Sequence, residues 1–172
     1  EEAFEDLQVG LRVVFPEIHV RLYGSGSSED DLRRKLAAAV RAVQARLGKR
    51  VLSVSGASMA QVLGELLTAR RATLAVAESC TGGLIAKQLT DVPGSSDFFI
   101  FAGVTYANAA KVRVLGVDEA TLDRVGAVHE ETAIAMARGA RRVADADFAI
   151  ATTGIAGPDG GSDDKPVGTV CI

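Results

Sequence analysis

The chain has 172 residues, 48% of them hydrophobic and 24% charged, with a formal net charge of −3. That length suits one medium or two small domains, and no apolar run reaches the roughly 18 residues of a membrane span. Cys80 and Cys171 are too few for a disulfide framework and lack zinc-ligand spacing; with no signal-like apolar core at the start, a cytoplasmic protein is expected.

Charge is unevenly spread. Residues 1–71 carry eleven Lys/Arg against nine Asp/Glu, net +2, and residues 72–172 carry eight against thirteen, net −5. Neither half is basic enough to indicate nucleic acid, and the asymmetry favours two domains. Leu11–Phe15 and Ile18–Tyr23 alternate apolar with polar residues and predict two strands of a half-exposed sheet. Ser28 with Asp31 predicts a helix start, with Glu29 and Asp30 in the first turn, and Gly48 a stop. Between them Leu32, Leu36, Val40, Val43 and Leu47 share one helical face. Lys49–Val54 reads as a third strand, and Ser58 with Gln61 opens a helix through Arg71 that buries Val62, Leu66 and Leu67. This ββαβα portion presents Arg33, Arg34 and Arg41 on one helix face. No aromatic stacking surface accompanies them, so a solvated face is the better reading than RNA binding.

From about residue 72 strands and helices alternate. Strands are predicted over 73–77, 98–106, 147–152 and 167–172, and helices near 82–90, 108–115, 118–125 and 130–144. The fold class is therefore α/β: a small α+β domain over 1–71, then a three-layer α/β/α domain over 72–172 with a mainly parallel or mixed sheet. Ligands are expected at the C-terminal ends of its strands. The chain stops on the apolar run Pro166–Ile172, which looks like a strand in mid-sheet. We expect a fragment of a longer protein, with the second domain truncated at its C-terminal end.

Three segments of the second portion carry candidate chemistry. Ser79, in Ala77-Glu-Ser-Cys-Thr-Gly-Gly83, lies between a strand end and a helix start, facing free backbone N–H groups and the positive end of a helix dipole. That suits a nucleophile or a phosphate contact; taken alone, a plain N-cap serine is the commoner explanation. Thr81 is an alternative cap, which frees Ser79 to face the pocket. Cys80 has no obvious His partner and reads as a buried small residue. In Tyr106-Ala-Asn108-Ala-Ala-Lys111, Asn108 is the expected N-cap. Lys111 falls in the first helical turn, where a cation opposes the dipole. A lysine held there near a serine in a desolvated pocket has a lowered pKa and can act as a base; a surface lysine is the other reading. Thr152-Thr153-Gly154-Ile-Ala-Gly157-Pro158-Asp159-Gly160-Gly161 is a glycine-rich loop after an apolar strand, where N–H groups can cradle an anion. It is not a Walker loop. Asp163, Asp164 and Lys165 read as a mobile turn. Glu78 and Asp159 have no histidine beside them, so no metal is expected, and Glu78 is placed to pin local N–H groups. His19 and His129 lie far apart, which leaves a Ser–His triad unsupported; His129 is expected at a helix start.

These segments occur in a fixed order with Asp91-Val-Pro-Gly-Ser-Ser96, Leu115-Gly-Val117, Gly126-Ala-Val128 and Glu131-Thr-Ala133. Together they resemble the CinA family, in its carboxy-terminal domain, over about residues 72–172. Residues 1–71 resemble the family's KH-type-like middle region. The resemblance implies an amidohydrolase that converts nicotinamide mononucleotide and water to nicotinate mononucleotide and ammonia in pyridine nucleotide salvage, with no cofactor. It casts Ser79 as nucleophile and Lys111 as its base, assisted by Tyr106. Backbone N–H groups near Ser79 and Thr81 would hold the oxyanion. Thr81, Gly82, Gly83, Asn108, Thr153, Gly154 and Gly157 would bind substrate. The other class to weigh is a nucleotide-binding regulatory module linked to competence and DNA repair. A homodimer of the full-length protein is expected; a membrane or nucleic acid partner is not. Two departures stand out: His129 replaces the family's usual serine, and the family domain continues past Ile172, where it contributes an arginine.

Overall fold

In the computed structural model, which describes residues 6–172, the two alternating segments pair as an antiparallel hairpin, β1 (Leu7–Val14) and β2 (Glu17–Gly24). Leu11 faces Val20 and Val13 faces Ile18 across the ladder. Helix α1 (Glu29–Leu47) starts where the capping signal placed it: Ser28 Oγ accepts the Asp31 N–H at 3.2 Å, and Gly48 ends the helix at φ +55°. On its basic face, Arg33 lies 2.6 Å from Glu29 and Arg34 lies 3.5 Å from Asp31.

The third strand expected over Lys49–Val54 does not form. Gly48–Arg50 closes a 3-10 turn, and residues 51–54 run on without a ladder partner among the described residues, where β1 and β2 pair only with each other. A strand signal without a neighbouring edge has nothing to bond with. The chain divides into two units, one ending at Met59 and one running from Ala60 to Ile172. This division falls at the first residue of α2 (Met59–Arg70); the domain boundary expected from the sequence is at residue 71. Helix α2 joins the second unit through Leu67 and Gly64, whereas Leu66, expected inside, is half-exposed.

The second unit is a four-stranded mixed sheet in the order β4-β3-β5-β6, from β3 (Leu74–Glu78), β4 (Phe99–Val104), β5 (Phe148–Gly154) and β6 (Val170–Cys171). Strand β3 runs parallel to both neighbours, and β6 is antiparallel to β5. All five β3 residues are buried: residues 74–77 as expected of an apolar run in the middle of a sheet, and the carboxylate Glu78 at its end. Its period-2 alternation serves two cores. Ala75 and Ala77, with Ala151, pack under α4 (Asn108–Leu115), α5 (Glu119–Val125) and α6 (Glu130–Ala144), against Leu115, Leu122, Met136 and Ala140. Leu74 and Val76 pack on the opposite face with Leu67, Phe98 and Leu89 of α3 (Leu84–Thr90). The result is a three-layer sandwich.

Connections from β3 to β4 and from β4 to β5 step to opposite sides of β3, so the strand order reverses at β3. Ligands of α/β sheets bind at such a point, beyond the strand C-termini. Close approach of α6 to α4 depends on Gly139, where an added Cβ would overlap the Leu115 carbonyl. Gly139→Ala is therefore expected to cost up to about 3 kcal/mol, read in a thermal melt as a loss of roughly 5–10 °C in Tm. An unchanged Tm would show that the helices can move apart freely.

Candidate active site

Three strand ends meet at the reversal point. Ser79 follows β3, Thr105 follows β4, and Thr152 and Thr153 lie near the end of β5; all four are buried. The Ser79 N–H donates to the Thr152 carbonyl at 3.0 Å, and the Thr105 N–H donates to the Glu78 carbonyl at 2.8 Å. These bonds extend the sheet one residue past the strands and fix where Ser79 stands.

Lys111 reaches this point from α4. Its residue is 1% exposed, and Nζ lies 3.1 Å from Ser79 Oγ, 2.8 Å from the Thr105 carbonyl and 3.0 Å from the Tyr106 carbonyl. No carboxylate is among these partners. Burial holds the Lys111 pKa below the usual 10.5, with Cys80 acting weakly the other way. Position in the first turn of α4 also disfavours the ammonium. The partners explain how either protonation state is satisfied. Carbonyls only accept, so a neutral amine gives its two N–H groups to Thr105 and Tyr106 and turns its lone pair to the Ser79 hydroxyl. An ammonium donates to all three oxygens. A single proton moving between Oγ and Nζ interconverts the two arrangements, which is what a general base requires.

The turn carrying Ser79 is held by Glu78, 1% exposed, whose carboxylate accepts the N–H groups of Gly83 at 3.0 Å, Ile85 at 3.2 Å and Ala86 at 2.8 Å. Gly83 is the N-cap of α3 and offers no side chain, so the cap is neither Ser79 nor Thr81. Gly82 at φ +61° and Gly83 at φ +101° supply the left-handed backbone that lets the chain double back within reach of Glu78. Thr81 Oγ1 lies 2.7 Å from Thr152 Oγ1, and Thr153 Oγ1 donates to the Ala127 carbonyl at 2.8 Å, tying β5 to the α5–α6 loop. Burial pushes the Cys80 thiol up, away from the thiolate a cysteine nucleophile needs.

Of the residues singled out in the sequence, Ser79 and Lys111 are in direct contact, with Thr81 in the turn that follows β3 and Thr153 near the end of β5. Tyr106 joins through its carbonyl, while its residue is 71% exposed. Asn108 is not the N-cap of α4; Ala107 is, and Asn108 is its exposed first residue. Gly154 leaves room for Cys80 and for the Thr169 carbonyl, and Gly157, at φ +79°, packs against Val167. Lys165, expected in a mobile turn, instead donates to the Val125 carbonyl at 3.2 Å. The sequence reading included Thr152 at the head of the glycine-rich segment but gave neither it nor Thr105 a role; Thr152 pairs with Glu78 and Thr105 follows the residue that does, a signal available once the strands are placed side by side. His129 caps α6 by accepting the Glu131 N–H on Nδ1 at 3.1 Å, in keeping with its expected place. No helix among the described residues is long and apolar enough to cross a membrane.

Known proteins carry the same arrangement of sequence. The family described as CinA C-terminal domain matches residues 56–172. A CinA-like protein of Desulforapulum autotrophicum is 52% identical over 98% of this chain, and that match covers 40% of the relative. The nicotinamide-nucleotide amidohydrolase PncC of Shewanella oneidensis is 46% identical over 98% of this chain and 39% of its own length. The chain thus spans about 40% of the curated relatives it matches. Among solved structures, the competence/damage-inducible protein CihA of Agrobacterium tumefaciens is 50% identical with a TM-score of 0.63, covering 64% of this chain and 67% of that one. A CinA-superfamily protein of Escherichia coli is 39% identical with a TM-score of 0.65, covering 70% of this chain and 71% of that one. The chain belongs to the CinA family, with the C-terminal domain of that family over residues 56–172.

Proposed function

We propose that the protein is an amidohydrolase that deamidates nicotinamide mononucleotide, with Ser79 as nucleophile and Lys111 as general base. The observation that carries this reading is the 3.1 Å contact between Lys111 Nζ and Ser79 Oγ, with the lysine buried against two carbonyls and no carboxylate. The relative named nicotinamide-nucleotide amidohydrolase supports the choice of substrate.

In the proposed reaction neutral Lys111 takes the Ser79 proton as Oγ bonds to the carboxamide carbon. The resulting ammonium returns that proton to the departing nitrogen, so ammonia leaves and an acyl-serine remains. Water then attacks the ester with Lys111 again accepting a proton, and Ser79 recovers its hydrogen as nicotinate mononucleotide departs. Tyr106, Thr153 and the loop from Gly154 to Gly157 are the groups proposed to orient the nucleotide. A cytoplasmic homodimer working in pyridine nucleotide salvage is the setting this reading supplies.

The test is ammonia release from nicotinamide mononucleotide by the full-length protein, with nicotinate mononucleotide formed in equal amount. Saturable nucleotide binding without turnover would favour a regulatory module instead, the class suggested by the competence and damage names of the solved relatives.

A further inference from the structure

We propose that Glu78 is the positioning residue of the nucleophile turn: its carboxylate fastens the start of α3 to the end of β3, keeping Ser79 on Lys111 and leaving the Cys80 and Thr81 N–H groups to receive the oxyanion. The inference rests on reading Ser79 as a nucleophile that becomes acylated.

A carboxylate that is 1% exposed needs compensation, and burying one without it is costly. No lysine or arginine pairs with Glu78 among the described residues. Its partners are the N–H groups of Gly83, Ile85 and Ala86 together with the Thr81 hydroxyl. Burial raises the Glu78 pKa, and these four hydrogen bonds outweigh it, so the group stays below its ordinary value and ionised. The protein's own anion thus takes the place at the start of α3 that a substrate phosphate would otherwise compete for.

The consequence for the turn is an accounting of its donors. Ser79 N–H is bonded to Thr152, Gly82 N–H to the Ser79 carbonyl and Leu84 N–H to the Thr81 carbonyl. Gly83, Ile85 and Ala86 are bonded to Glu78. The N–H groups of Cys80 and Thr81 enter none of these bonds and instead lie beside the Cys80 sulfur. Sulfur is a weak acceptor, and an alkoxide is a far stronger one. Ser79's own N–H, expected from the sequence to serve the oxyanion, is committed to the sheet. Glu78 also orders the base: its carbonyl accepts the Thr105 N–H, and the Thr105 carbonyl accepts from Lys111 Nζ. One residue therefore holds both halves of the Ser–Lys pair.

The experiment is Glu78→Gln in the full-length protein. It reads kcat and KM for ammonia release from nicotinamide mononucleotide, and the rate of Ser79 labelling by a fluorophosphonate. The carboxamide keeps the shape but turns an NH2 toward backbone donors, so we expect kcat and labelling each to fall by about 100-fold or more, with KM within about threefold. If E78Q does not fold, Glu78→Asp decides; it keeps the charge one methylene short of α3, and the same loss in kcat and labelling is expected. Either folded variant with kcat within threefold of the parent overturns the proposal. So does a KM raised tenfold at unchanged kcat, which would place a substrate anion at the start of α3. A parent that is labelled at Ser79 but releases no ammonia overturns the substrate reading alone, and the labelling rates then decide Glu78. A parent that does neither overturns the nucleophile and this inference together.

Discussion

Replacing Ser79 with alanine is expected to lower kcat for ammonia release by at least about 10⁴-fold, the scale seen when a nucleophile that acts as a unit with its base is removed. The change deletes the hydroxyl that meets Lys111 Nζ at 3.1 Å and leaves the lysine its two carbonyl partners. The cradle therefore survives, and the stability cost of the lost hydrogen bond stays near about 1 kcal/mol. KM should change little, because the hydroxyl contributes to bond making more than to nucleotide binding. Steady-state assays of the folded variant, checked by thermal melt, give the answer. Activity within tenfold of the parent would reassign the attack to water or to another group. Cys80 is a poor substitute even though it is adjacent, since burial keeps its thiol protonated.

What the sequence made legible was local, and what it concealed was pairwise. Alternation gave the hairpin, and the Ser28 and His129 caps gave helix starts, because a cap needs only neighbours within three residues. The segment Lys49–Val54 read as a strand but met no partner edge among the described residues, and pairing is not written into a single segment. For the site, Ser79 and Lys111 were chosen on residue type and on the oddity of a cation in a first helical turn, together with a resemblance across several motifs. Thr105 and Thr152 were given no role because they act through backbone carbonyls, which no side-chain pattern marks. Tyr106 shows the same blind spot: its carbonyl holds the lysine, and its side chain had drawn the attention. Glu78 was placed to pin N–H groups, but that it reaches over the turn to the first turn of α3 follows only from the left-handed backbone at Gly82 and Gly83.

Lys111 provides the second large effect and a sign that can be worked out beforehand. The base form is the neutral amine, so kcat/KM should rise with pH and level off once Lys111 is deprotonated. Burial disfavours its ammonium, which sets the midpoint of that limb below 10.5. Stability follows the same shift. The unfolded chain holds the proton more tightly than the folded one, so Lys111's contribution to stability rises with pH between the folded pKa and 10.5 and is unfavourable below that window. Lys111→Met removes the base at similar volume and is expected to cost about 10³-fold or more in kcat. Lys111→Arg separates charge from proton acceptance: it keeps the cation and donors for the Thr105 and Tyr106 carbonyls, but a guanidinium does not deprotonate near neutral pH. If Lys111 serves only as a positive charge beside the serine, the arginine variant should retain much of the parental rate, and the parent's kcat/KM should fall rather than rise as pH passes through the Lys111 pKa. If it is the base, the arginine variant should be as inactive as the methionine variant at every pH up to 10, and raising the pH should rescue neither. Folded-state melts of both variants, run beside the rate profiles, distinguish a lost proton acceptor from a collapsed pocket.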